Sequence, residues 1–178
     1  MIDVPQSQNA KTPVQFDEAL TPTVYAELHR AARRCLRKEW HGRRLQPTEL
    51  LNEAVVRLLG DDFQGESRKH FVVSAVRAMR RVLVDQARRR QAGKRIPDDA
   101  ELTLETRAAL GAPKASVLEV DDALARLARV EPRAAEVVEL RYFGGLTCPE
   151  AAEALGLSRS SVEREWRVAR AWLRHALG

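Results

Sequence analysis

Residues 146–173, LTCPEAAEALGLSRSSVEREWRVARAWL, constrain this chain more than any other stretch. Thr147 and Glu150 form a T-x-x-E capping box, which predicts that a short helix opens there. Ala152 stands where two helices must approach closely, and a larger side chain would push them apart. Gly156, four residues on, falls where the turn needs a left-handed backbone that glycine adopts at little cost. Ser158 is placed to cap a second helix, whose Val162 would pack back onto the first. Val162, Trp166, Ala169 and Leu173 then recur at helical spacing as a buried stripe, with Ser160, Arg164 and Arg167 opposite and Glu163 beside them. Two capped helices joined through such a turn are a helix-turn-helix. The polar face of its second helix carries groups that can meet phosphates and base edges in a major groove.

The rest of the chain reads as helix, with no convincing strand. Pro22 opens a first helix with Tyr25, Leu28, Ala32, Leu36 and Trp40 on one face and Gly42 as its stop. A second runs from about Thr48 to Leu59, with Leu50, Leu51, Ala54, Val55 and Leu58 apolar and Gly60 as the stop. Ser67 is placed to cap a long third helix striped by Phe71, Val72, Ala75, Val76, Met79, Val82 and Leu83, stopping at Gly93. Residues 94–116 read as a linker containing Pro97, Gly111 and Pro113, with room for a short helix near 102–110. Periodicity resumes at Leu118, Ala123, Leu124 and Leu127, and Pro132 opens a further helix that ends at Gly144-Gly145.

Charge is distributed unevenly. Arg77, Arg80, Arg81, Arg88, Arg89, Arg90, Lys94 and Arg95 face one acid, Asp85, over residues 77–95, a net of +7. Residues 96–122 carry a net of −5. A solvated helix end explains two or three basic residues but not eight, so the third helix has the electrostatic footprint of a nucleic-acid binder. Arg30, Arg33, Arg34, Arg37, Lys38, Arg43 and Arg44 add a second basic cluster on and after the first helix. The four histidines, at 29, 41, 70 and 175, have no ligand spacing, and no paired-carboxylate, Walker A or H-E-x-x-H motif occurs. No catalytic residue, metal or cofactor is expected. Cys35 and Cys148 lie far apart and are expected as reduced thiols. With no signal-like N-terminus and no long apolar run, the chain is expected to be a cytoplasmic protein without a membrane partner.

Three segments, LQPTELLNEAVVRLL (45–59), HFVVSAVRAMRRVLVDQARRRQAGKR (70–95) and LTCPEAAEALGLSRSSVEREW (146–166), resemble the extracytoplasmic-function (ECF) sigma factors, specifically the ECF-like subgroup of the sigma-70 family. The resemblance implies a promoter-recognition subunit of RNA polymerase. Its first helical domain would bind the β′ coiled coil of the core enzyme and the −10 element, and its second the β flap and the −35 element. By that resemblance Glu49, Asn52, Glu53 and Arg57 would dock on core polymerase, and Gly60 to Lys69 would be the loop that captures a flipped non-template base. Arg77, Arg80, Arg81, Asp85 and Arg88 would read the −10 element, and Ser158, Arg159, Ser160, Ser161, Glu163, Arg164 and Arg167 the −35 element. Arg81 stands where many members carry Asn, and Asn52 where Gln is commoner.

The expected architecture is all-α: two small helical domains joined by a flexible acidic linker. It comprises a disordered tail (1–16), a sigma region 2-like domain (17–95), the linker (96–117) and a sigma region 4-like helix-turn-helix domain (118–178). The expected partners are core polymerase, promoter duplex and the −10 non-template strand, with an anti-sigma protein as a further candidate; the free chain is expected to be a monomer. The competing readings are a free-standing helix-turn-helix regulator, which would be a symmetric dimer on operator DNA, and a nucleic-acid-processing enzyme, for which no motif speaks.

Overall fold

Seven helices make up the described part of the chain, and their order follows the periodicity of the sequence. The structure is a computed structural model that describes residues 21–39, 45–60, 67–93 and 116–177. The expected stop at Gly42, the last stripe residue Trp40, most of the 60–69 loop, the linker as far as residue 115 and the N-terminal tail lie outside the described residues. In chain order the helices are α1 (Pro22–Glu39), α2 (Pro47–Gly60), α3 (Arg68–Gly93), α4 (Val117–Val130), α5 (Pro132–Val138), α6 (Cys148–Leu155) and α7 (Arg159–Leu177).

Their ends are set by local chemistry. The Ser67 hydroxyl accepts from the His70 amide at 3.2 Å and caps α3 as expected. Helix α4 begins at Val117, inside the segment read as linker, because Ser116 and Glu119 form a reciprocal capping box. That S-x-x-E signal is present in the sequence and fixes the helix start just ahead of Leu118. Thr147 and Glu150 form the second capping box, at α6, and Gly156 ends that helix at φ 65°. Ser158 then caps α7, its hydroxyl accepting from the Ser161 amide at 3.1 Å. The helix-turn-helix is therefore built as its spacing requires.

One element has no signal in the sequence pattern. Helix α5 does not stop as an ordinary helix but continues through a π-helical turn, Glu139–Phe143. Such wide turns often mark functional segments. This one buries Leu140, Tyr142 and Phe143 together. The two glycines after it are sites of close approach. A Cβ on Gly144 would come within 2.7 and 2.8 Å of the Val76 methyls of α3. A Cβ on Gly145, whose φ is 60°, would collide with the carbonyl oxygen of Ala31 and come within 2.9 Å of the Cys35 nitrogen, both on α1.

The core runs through both halves of the chain. Phe71, Met79 and Leu83 of α3 belong to one buried cluster with Leu124 and Leu127 of α4, Phe143, and Leu173 of α7. A second cluster joins Ala31 of α1 and Val76 of α3 to Val137, Leu140, Ala152 and Val162. The helix-turn-helix thus shares its small core with the N-terminal helices. In the α7 stripe Val162, Ala169 and Leu173 are fully buried, and Trp166 is half-buried against the core.

Candidate nucleic-acid interface

The second helix of the helix-turn-helix presents its polar face outward. Arg159, Ser160, Glu163, Arg164 and Arg167 are exposed, as is Ser158 at the cap, while Ser161 is half-exposed. Arg159 is held along the helix by Glu163, at 2.8 Å one turn on. Among the described residues Arg164 reaches only its neighbour Glu165, at 3.3 Å. An exposed ion pair of this kind contributes at most about 1 kcal/mol, so both arginines can be exchanged onto another acceptor at little cost. The reverse side of α7 is fixed by Arg141, whose guanidinium lies 4.1 Å from the centre of the Trp166 ring. Burial holds the Arg141 pKa below its ordinary value, and the nearby Arg170 charge adds to that.

Helix α6 is tied to the N-terminal half as well as to α7. Arg34 of α1 donates through Nε to the Gly145 carbonyl at 2.7 Å and through Nη2 to Glu150 at 2.8 Å. Burial works against the Glu150 carboxylate, but its bonds from Thr147 and from Arg34 outweigh that and hold it below the usual carboxylate range.

The arginine face of α3 has a different character from the one its sequence suggests. Arg77, Arg81 and Arg88 are exposed and Arg80 is half-buried. Carboxylates from the C-terminal half meet three of them. Arg80 donates through Nε to Asp121 at 2.7 Å and through Nη1 to Glu139 at 2.9 Å, and its guanidinium lies over the Phe143 ring at 5.4 Å. Burial opposes the Arg80 charge, but the hydrogen bonds to Glu139 and Asp121 outweigh it and raise the pKa above its ordinary value. Arg77 reaches Glu136 at 3.3 Å and Glu139 at 3.4 Å, and Arg88 lies 3.8 Å from Asp121. Asp121 and Glu139 keep only 15% and 12% of their side-chain surface, so they are fixed partners and not passing surface charges. Neither acid stands out in the sequence. Asp121 belongs to the acidic block, but nothing local says which basic face it meets.

On α2 the four residues grouped by resemblance do not form one exposed set. Glu49 and Asn52 are exposed, but Glu53 and Arg57 are half-buried. Arg57 bonds Glu53 at 2.9 Å and Asp85 of α3 at 2.7 Å, which links the expected polymerase-docking set to the expected −10 set. Glu49 accepts from the Gln46 amide at 2.8 Å, and Asn52 accepts from the Tyr25 hydroxyl at 3.2 Å. The outer row of α2 is instead completed by two apolar side chains, Val56 and Leu59, which are 65% and 50% exposed. With Glu49 and Asn52 they fall at spacings of three and four along one face.

A helix-turn-helix with an exposed polar face on its second helix, beside an arginine-lined helix and within an all-helical fold, is an arrangement suited to binding DNA. The model of the ECF sigma factor family matches residues 11–178, and the chain belongs to that family. It is accordingly a sigma factor of transcription initiation, with core RNA polymerase and promoter DNA as its partners. Comparison with curated proteins and with solved structures returned no significant match. Among the described residues no helix is long and apolar enough to cross a membrane.

Proposed function

We propose that the chain works as two modules, residues 17–95 and 118–178, bridged by 96–117, which together place core polymerase on specific promoters in the cytoplasm. Helix α2 docks on the β′ coiled coil of core polymerase and the second module on the β flap. Arg77, Arg80, Arg81, Asp85 and Arg88 of α3 meet the −10 element. Ser158 to Arg167 meet the −35 element in the major groove. The observation that carries this reading is the exposed row Ser160, Glu163, Arg164 and Arg167 on the second helix of a doubly capped helix-turn-helix. Its opposite stripe is buried, so this face is available to a base-pair edge.

The polymerase contact rests on Glu49, Asn52, Val56 and Leu59. Exposed apolar residues in a row with polar ones are what a helix-on-helix interface requires. Glu53 and Arg57 act from behind this row, as the ion pairs that hold α2 against α3. Leu59→Glu should change the stability of the free chain by no more than about 0.5 kcal/mol, because the side chain is half in solvent already. The same change should reduce co-purification with bacterial core polymerase by roughly tenfold or more, since it places a charge in an apolar interface. Capture of core enzyme at the wild-type level would remove α2 from the docking surface.

A further inference from the structure

We propose that Val168, on the outward row of α7, reads the C5 methyl group of a thymine in the −35 element and makes that thymine a requirement of the promoter. The inference deepens the −35 role given to α7 above and rests on it. Among the described residues four large apolar side chains are exposed: Val56, Leu59, Val130 and Val168. Val56 and Leu59 stand together on α2, and Val130 ends α4. Val168 lies on the second helix of the helix-turn-helix and is 41% exposed.

Neither packing nor helix formation explains a valine there. Val168 belongs to neither buried cluster and is not one of the half-buried side chains packed against them. The stripe that α7 turns to the core is Val162, Ala169 and Leu173, with Trp166 half-buried beside it. A β-branched residue is also a poorer helix former than the Arg, Glu or Lys that an exposed helical position accepts. Ser160, Arg164 and Val168 follow one another at intervals of four, so they form a single ridge, with Arg167 and the exposed Ala171 along it. The ridge begins polar and turns apolar at Val168.

A surface that fits this ridge must offer acceptors to Arg164 and Arg167, and an apolar spot about 6 Å beyond Arg164, the axial rise of four helical residues. The major groove offers both. Phosphates and guanine edges accept from arginine, and the thymine methyl is the apolar group among the base edges. At about 3.4 Å per step of one strand, the thymine is expected about two base pairs from the one that Arg164 meets. Cytosine in its place would turn its N4 amino group toward the valine and leave that donor without an acceptor. Such a contact displaces no counterion, so its contribution is independent of salt, unlike those of the arginines.

The test uses holoenzyme assembled from bacterial core polymerase and the full chain, wild type or Val168→Ala, on a promoter fragment that the wild-type holoenzyme transcribes. Each thymine of the upstream element, on either strand, is replaced in turn by deoxyuridine, which pairs alike but lacks the methyl. Affinity is measured by competition at stepped salt. One replacement should weaken wild-type binding about fourfold, the effect of taking one methyl group out of an apolar contact, and this ratio should hold as salt rises. Val168→Ala should lose about the same factor on the unmodified fragment and be indifferent to uracil at that position. Circular dichroism should show no loss of helix, since alanine is the better helix former at an exposed site. Absence of any methyl-sensitive position, a sensitivity that Val168→Ala retains, or one that vanishes with salt overturns the assignment of Val168 and leaves the sigma reading standing. If no fragment is transcribed in dependence on the chain, the sigma reading itself fails and the assignment falls with it.

Discussion

Replacing Phe143 by alanine should destabilise the free protein by about 3–5 kcal/mol, the range for deleting a fully buried aromatic ring. Phe143 has no solvent exposure and ends the π-turn at the junction of α3 with the C-terminal helices. Its ring packs edge-on to Tyr142 at 4.6 Å between centroids and carries the Arg80 guanidinium on its face. Truncation leaves a cavity in the core shared by the two halves and removes the surface beneath the central cation of the ion-pair network. Urea unfolding followed by circular dichroism measures the loss, and hydrogen exchange locates it. Protection should fall in α3 as well as in α5 and α7. A loss below about 1 kcal/mol, or one confined to the C-terminal helices, would mean that the halves are not packed together in the free chain.

The second large effect is expected at Arg164. Its side chain is 64% exposed and, among the described residues, bonded only to the adjacent Glu165. Arg164→Ala should therefore leave stability unchanged within about 0.5 kcal/mol. If Arg164 makes a bidentate contact with a guanine edge, the variant holoenzyme should lose about 1–3 kcal/mol of affinity for its −35 element and relax its preference at one base pair. Competition between promoter variants changed at single positions separates this from a phosphate contact, which would weaken every sequence alike. Unchanged affinity on every sequence would take Arg164 out of the interface.

How much of this is legible in the sequence depends on the range of the interaction. The helix-turn-helix is readable because its determinants are local: a capping box, a serine cap, a left-handed Gly156 and a stripe at Val162, Ala169 and Leu173 within one short segment. The starts of α1 and α3 are readable for the same reason. The Ser116–Glu119 box gives the start of α4 directly. The exposed row of α2 is not legible. Leu50, Leu51, Val55, Val56, Leu58 and Leu59 make that helix apolar on most sides, and only tertiary packing selects which of them are covered.

The pairing of the arginine face is the furthest from view. Arg80 meets Asp121 and Glu139 across separations of 41 and 59 residues, and a charge count does not say which acid meets which base. The basic block is plain in the sequence as a run of charge. The sequence does not reveal that folding brings carboxylates to that run, because their placement depends on the π-turn and on two glycines that admit α1 and α3 at close range.

Whether this chain confers promoter recognition on core polymerase is measured by promoter-specific transcription. Purified protein is mixed with bacterial core enzyme and a pool of promoter fragments from the same genome, and run-off products are mapped. The expected result is a set of discrete transcripts that require the protein, start downstream of a shared pair of upstream elements, and disappear with Leu59→Glu. Core enzyme that yields the same products with and without the protein would contradict it.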